Sequence, residues 1–209
     1  MSKPANISMP VIRRLPGYYR TLKKLEEKGI ERISSGKLAE YMNSNASQIR
    51  QDLNCFGGFG QQGYGYLVSD LKEEIARIIG IDRVKPAVIC GFGNLGRALY
   101  YHFDANKYGF ELVGLFDSDK SKQGQVIGKL SIQSETKITD FCKANKIETA
   151  IICVPTKFAE SVADALYEGG VRSFWNFSHF KVSAKYHDTI EENVHLSESL
   201  LTLSYLIDN

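Results

Sequence analysis

Ala87-Val88-Ile89-Cys90-Gly91-Phe92-Gly93-Asn94-Leu95-Gly96-Arg97-Ala98-Leu99 decides how the rest of this chain is read. A short β-rich apolar run meets three glycines spaced G-x-G-x-x-G, and a helical pattern follows at once. That order suits the turn after a first parallel strand, where backbone must approach a pyrophosphate and a helix must pack closely on the sheet. The start of such a helix offers unpaired N–H groups and the positive end of its dipole, both of which attract phosphate. The next apolar run, Leu112-Val113-Gly114-Leu115-Phe116, ends at Asp117, 21 positions beyond Gly96. A carboxylate at that distance accepts from a ribose 2′-hydroxyl and repels a 2′-phosphate, so the cofactor expected is NAD(H) rather than NADP(H). Asp119, Lys120 and Lys122 crowd the same loop.

Downstream the pattern repeats. A helix is predicted over residues 135–145, then the apolar strand Ala150-Ile151-Ile152-Cys153-Val154, ended by Pro155-Thr156. A helix over residues 158–167 stops at Gly169-Gly170, and the strand Ser173-Phe174-Trp175-Asn176-Phe177 follows. Buried strands alternating with helices make a doubly wound parallel sheet of the α/β class. Its carboxyl-end loops, with Val154, Pro155, Thr156, Phe177 and Ser178, are expected to line the nucleotide crevice. A last helix over residues 197–207 sets Leu200, Leu203 and Ile207, with Leu196 just ahead, in one apolar stripe. That stripe either packs on its own sheet or docks into a partner subunit by domain swapping.

The front of the chain reads differently. Residues 1–57 hold ten Lys/Arg against five Asp/Glu, while the remainder is mildly acidic. A basic front on an acidic body points to two domains with different partners. Val11-Ile12-Arg13-Arg14 reads as a basic arm, and a helix is predicted over residues 16–28 with Tyr18, Leu22 and Leu25 on one face. Ser34 and Ser35 can cap a short helix that carries Lys37. Asn43-Ser44-Asn45 makes a three-residue turn before a second helix bearing Ser47, Gln48, Arg50 and Gln51. Helix, short turn and polar-tipped helix is the helix-turn-helix order, and these side chains are of the kinds that read base edges. The glycine-rich stretch from Phe56 to Val68, with Gly60, Gln61, Gln62 and Gly63 at its tip, reads as a β-hairpin wing, or else as a hinge loop.

Composition narrows the field. No apolar run is long enough to span a membrane, and no signal peptide is expected. Cys55, Cys90, Cys142 and Cys153 lie far apart, as in a reduced cytoplasmic protein, and the four histidines lack metal-ligand spacing, so no metal is expected. A dehydrogenase would need a substrate domain, yet the nucleotide fold consumes nearly all of the 123 residues after Pro86. No histidine is bracketed by carboxylates as a hydride-transfer acid or base. Sensing, not turnover, is the expectation. A small NAD-dependent reductase and a CoA- or nucleotide-binding regulatory module are the competing classes.

Several motifs in one order then resemble the Rex family of redox-sensing transcriptional repressors. They are Val11 to Arg20, Arg32-Ile33-Ser34-Ser35, Ser47 to Leu53, Phe56 to Gly60 with Gly63 to Tyr66, Gly91 to Gly96, and Phe116-Asp117-Ser118-Asp119. The resemblance implies a winged-helix DNA-binding domain over residues 1–83, a Rossmann NAD(H)-binding domain over 84–192, and a domain-swapped C-terminal helix over 193–209 of a homodimer. It implies binding to a palindromic double-stranded operator in the apo or NAD+ form, and release by NADH. It also implies phosphate contacts from Arg13 and Arg14, and an interdomain switch through Arg20, Tyr101, His102 and His195. The chain departs from the commonest family pattern at Gln51, Gln61 and Gln62, where relatives carry cations, at Ser178-His179, and at His102 and His195.

Overall fold

The structure, a computed structural model, describes residues 7–59 and 64–208. The chain divides into two compact units, Met1–Asp82 and Arg83–Asn209.

In the first unit, α1 spans Met9–Glu27, β1 Arg32–Ile33, α2 Ser35–Met42, α3 Ala46–Asn54, β2 Tyr66–Leu67 and α4 Val68–Ile79. Helix α1 begins well before the sequence-based start and carries Pro16 inside it. An interior proline costs about 3 kcal/mol through its missing N–H and its ring clash. The earlier start places Val11 and Leu15 in register with Tyr18, Leu22 and Leu25, and all five are buried. Burying two further aliphatic side chains is worth roughly 3–6 kcal/mol, so packing outweighs the proline. The expected basic arm is therefore the first turns of a helix.

The expected hairpin also differs. Strand β2 pairs antiparallel with β1, Ile33 opposite Tyr66, and not with the Phe56–Phe59 stretch, which forms no strand. Gly57 and Gly58 supply no side chains to pack on a ladder, and Gly57 has φ +128°. Gly60, Gln61, Gln62 and Gly63 lie outside the described residues.

In the second unit, β3 (Lys85–Cys90), α5 (Asn94–His102), β4 (Phe110–Asp117), β5 (Val126–Ile127), β6 (Leu130–Ser134), α6 (Ile138–Asn145), β7 (Thr149–Ile152), α7 (Thr156–Glu168), β8 (Ser173–Asn176), α8 (Val182–Lys185), β9 (Ile190–Asn193) and α9 (Leu196–Asp208) follow in turn. The sheet order is β5-β6-β4-β3-β7-β8-β9. All pairings are parallel except β5 with β6. Counted from β3, the six parallel strands run 3-2-1-4-5-6, the doubly wound order whose ligand crevice opens where the winding reverses, beside the first strand. One face buries Val88, Cys90, Ala150 and Ile152 with Val162 and Leu166 of α7. The other buries Ile89, Leu115 and Ile151, with Leu99 and Tyr100 of α5 packed against them. Burial pushes the thiol of Cys142 up to about 11 and that of Cys153 up to about 12, so both are neutral at physiological pH.

Helix α9 does not hide its apolar residues on this sheet. Leu196, Leu200, Leu201, Leu203, Leu206 and Ile207 are between 51% and 73% exposed.

Candidate functional site

Two sites emerge, one in each unit. At the carboxyl edge of the sheet, β3 ends at Cys90 and the glycine turn begins. The Gly91 amide donates to the Phe116 carbonyl at 2.8 Å, and the Phe92 amide donates to Asp117 Oδ2 at 2.8 Å. The turn is thereby tied to the end of β4. Gly91 has φ +93°, and a Cβ there would lie 2.7 Å from the Cys153 carbonyl oxygen and 2.8 Å from Val154 Cγ1. A Cβ on Gly96 would collide with the carbonyl oxygen of Gly91 itself. Gly93 faces open space, with nothing within 4 Å of a Cβ built on it. The first and third glycines are thus demanded by packing. The second leaves room for a phosphate to approach the backbone, and no side chain caps α5 there. This arrangement fits a dinucleotide pyrophosphate.

Asp117 is 8% exposed and fully engaged. Besides the Phe92 amide, its Oδ1 accepts from the Asp119 amide at 2.9 Å, and its Oδ2 from Lys122 Nζ at 3.0 Å. Asp119 turns its own Oδ1 to the Ser121 amide and hydroxyl, which with Lys122 hold its carboxyl below the usual carboxylate range. The loop after β7 comes up beside the glycine turn: Val154 touches Gly91, Pro155 caps α7, and Thr156 opens it. The Phe177 amide donates to the Ile152 carbonyl at 3.0 Å, which sets the β8 exit next to the β7 exit. Phe177 packs edge-on against Trp175, with ring centroids 4.8 Å apart. The buried Asn176 side-chain amide donates to the Phe180 carbonyl and to Asn193 Oδ1, and its own Oδ1 accepts from the Ser178 hydroxyl. Tyr101 and His102 end α5 on its exposed side. His195 stands just ahead of α9, stacked on His179 at 4.8 Å and within 5° of parallel. A groove of about 1000 Å³ opens at the opposite edge, where the strands begin, lined by Phe103, Tyr108, Trp175 and Ile190 among others, and is separate from this crevice.

In the first unit, α3 is cleanly two-sided. Ile49, Asp52 and Leu53 are buried, while Ser47, Gln48, Arg50 and Gln51 are exposed. Asn45 caps the helix by accepting from the Ser47 amide at 2.7 Å, and Ser34 caps α2 by accepting from the Lys37 amide at 3.2 Å. The Arg50 guanidinium donates to Ser35 Oγ at 2.9 Å and to Ser47 Oγ at 3.0 Å. The fold therefore gathers Ser34, Ser35, Lys37, Ser47 and Arg50, drawn from two helices, into one polar face. Arg13 is exposed on α1, and so is Arg20 two turns later.

Arg14 has a different place from the one expected. Its Nε and Nη2 donate to the two carboxylate oxygens of Asp52 at 2.6 and 2.8 Å, and Tyr18 Oη donates to Asp52 Oδ2 at 2.6 Å. The guanidinium is committed to an internal pair, because a carboxylate on the buried face of α3 needs a cation. Burial alone would raise the Asp52 carboxyl, but the bonds from Arg14 and then Tyr18 hold it below its ordinary value. Burial, followed by the bond to Asp52, pushes the Tyr18 phenol up. Sequence reading missed this triad, and it placed Lys122 in the Asp117 loop without its ion pair to Asp117. The available signal was an aspartate at position 52, in phase with the apolar positions 49 and 53.

Among the described residues no helix is long and apolar enough to cross a membrane, and no group of three or more His, Cys, Asp or Glu is placed to hold a metal.

Comparisons with known proteins follow the same division. A family model described as "Putative DNA-binding protein N-terminus" matches residues 6–54, and one described as "CoA binding domain" matches residues 82–180. A "Redox-sensing transcriptional repressor Rex" of Clostridium perfringens (strain SM101 / Type A) is 48% identical over 209 residues, covering 100% of this chain and 98% of the relative. The crystal structure of RSP in complex with β-NAD+ and operator DNA matches with a TM-score of 0.92 at 44% identity, over 98% of this chain and 94% of that one. RSP in complex with β-NADH matches with a TM-score of 0.87 at 41% identity, over 97% and 94%. Near-half identity sustained from end to end, across both units, means that this chain belongs to the Rex family of redox-sensing transcriptional repressors.

Proposed function

We propose that this protein is a DNA-binding repressor whose grip on its operator follows the NADH/NAD+ balance. It holds a palindromic site in the free or NAD+-bound form and releases it when NADH binds. One observation carries the reading: a single chain joins a polar helix-turn-helix face around Arg50 to a glycine turn clamped onto the carboxylate of Asp117. The two RSP complexes, one with NAD+ and operator and one with NADH, support it.

In this reading Gly91–Gly96 cradle the pyrophosphate and Asp117 accepts from the adenosine ribose. Val154, Pro155, Thr156 and Phe177 line the nicotinamide half. Ser47, Gln48, Arg50 and Gln51 face the major groove, while Arg13, Ser34, Ser35 and Lys37 meet phosphates. The exposed stripe of α9 docks into a second copy, since six apolar side chains left in water would each forfeit about 1.5–3 kcal/mol of burial. The protein works in the cytoplasm and turns over no substrate.

The CoA-binding family match favours a second reading, a CoA-responsive module. The 3′-phosphate of CoA would meet the same carboxylate that suits a bare ribose. The deciding experiment is a gel shift on a palindromic operator with NADH, NAD+ and CoA added in turn. Release by NADH alone is the expected result. A complex that ignores NADH, or that CoA dissociates instead, overturns the sensor reading.

A further inference from the structure

The acidic end of β4 holds a lysine that the reading above does not use. Asp117 has three partners, and two of them are loop amides, those of Phe92 and Asp119, which cannot leave without unravelling the glycine turn. The third, Lys122 Nζ at 3.0 Å, is on a flexible stem and is about one-third exposed. The same ammonium lies 3.8 Å from Asp119 Oδ2, the oxygen that Ser121 leaves unused. Lys122 thus has two acidic seats within reach, one buried and one at the surface.

We propose that Lys122 is a two-position counter-ion that sets the cofactor specificity of this site. With the site empty it sits on Asp117; a ribose hydroxyl arriving at Asp117 Oδ2 displaces it to Asp119. The inference rests on the assignment of Asp117 to the adenosine ribose. It has a consequence that the carboxylate alone does not predict. Asp117 repels a 2′-phosphate, and a lysine poised between the two acids softens that repulsion. Discrimination between NAD(H) and NADP(H) is then a property of the pair.

The test is calorimetric titration of the full-length protein with NADH and with NADPH. Lys122→Gln leaves NADH affinity within about twofold and weakens NADPH about fivefold, the scale of one partly exposed ion pair; Lys122→Arg restores the ratio. Asp119→Asn removes the second seat and weakens NADH about threefold, an effect that vanishes when Lys122→Gln is also present. An unchanged NADPH/NADH ratio in Lys122→Gln overturns the proposal, as does an Asp119→Asn effect that persists without the lysine. Asp117→Ala separates the two levels of the argument. If it leaves NADH binding intact, the ribose assignment falls and the counter-ion with it. If it weakens NADH while Lys122→Gln leaves the ratio alone, only the counter-ion falls.

Discussion

Replacing Asp52 by alanine is the sharpest perturbation of the DNA-binding unit. Asp52 is 2% exposed and receives three hydrogen bonds, two from Arg14 and one from Tyr18. Removing one member of a buried ion pair costs about 3–5 kcal/mol, because the remaining charge is left without a partner. The Arg14 side chain is 33% exposed and can recover some water, which brings the expectation to the low end, about 3 kcal/mol. For a unit of this size that is a fall of roughly 12–24 °C in its melting temperature. The assay is urea and thermal unfolding of the full chain by far-UV circular dichroism. Emission of Trp175, the only tryptophan and a residue of the second unit, provides the internal control. Operator binding fails with the first unit, and NADH binding survives. Arg14→Met, Tyr18→Phe and Asp52→Leu combined recover stability to within about 1 kcal/mol, since no charge is stranded. The pH dependence has a fixed sign. The folded carboxyl sits below its ordinary 3.8, so its stabilisation is full above that pH and fades as pH falls further, and wild type and Asp52→Asn converge there. Equal unfolding midpoints for wild type and Asp52→Ala at pH 7 would refute the reasoning.

Three further outcomes are expected. Gly96→Ala drives a Cβ into the Gly91 carbonyl, where backbone cannot yield, so NADH fluorescence titration shows binding lost while Trp175 emission stays native; near-wild-type affinity would remove the close-packing argument. Arg50→Ala lowers operator affinity by about 1–3 kcal/mol in competition gel shifts, and Arg50→Lys does not restore it, because an ammonium cannot hold Ser35 and Ser47 in the same fork. Leu203→Glu with Leu206→Glu in α9 yields monomers in sedimentation equilibrium, and a tight dimer from that variant would rule out the stripe as the docking surface.

What the sequence made legible divides along the line between pattern and pairing. Strands β3, β4 and β7 were readable because their carboxyl ends are buried on both faces and carry apolar runs. Strand β8, Ser-Phe-Trp-Asn, alternates buried with half-buried residues and was readable from its place in the repeat of strands and helices. The edge strands β5 and β9, and β6 beside β5, were not. Strand β9 is Ile-Glu-Glu-Asn, polar enough to pass for loop, and is a strand only because β8 offers it a parallel ladder from Ser173 to Asn176. The start of α1 hid behind Pro16, a local signal that long-range burial of Val11 and Leu15 overrides. The same distinction governs the sites. The residue types at the glycine turn and on α3 announce their chemistry by spacing alone. Whether a given cation is free to meet a ligand depends on a partner that spacing does not name: Asp52 lies 38 positions from Arg14, and its place on the buried face of α3 claims that arginine before DNA can. Lys122, five positions from Asp117, is the opposite case, a local neighbour whose role shows only once its distances to two carboxylates are known. Both acids are buried, and the difference lies in how each cation is held: Arg14 grips Asp52 through two nitrogens, whereas Lys122 meets Asp117 through one bond and has a second carboxylate 3.8 Å away.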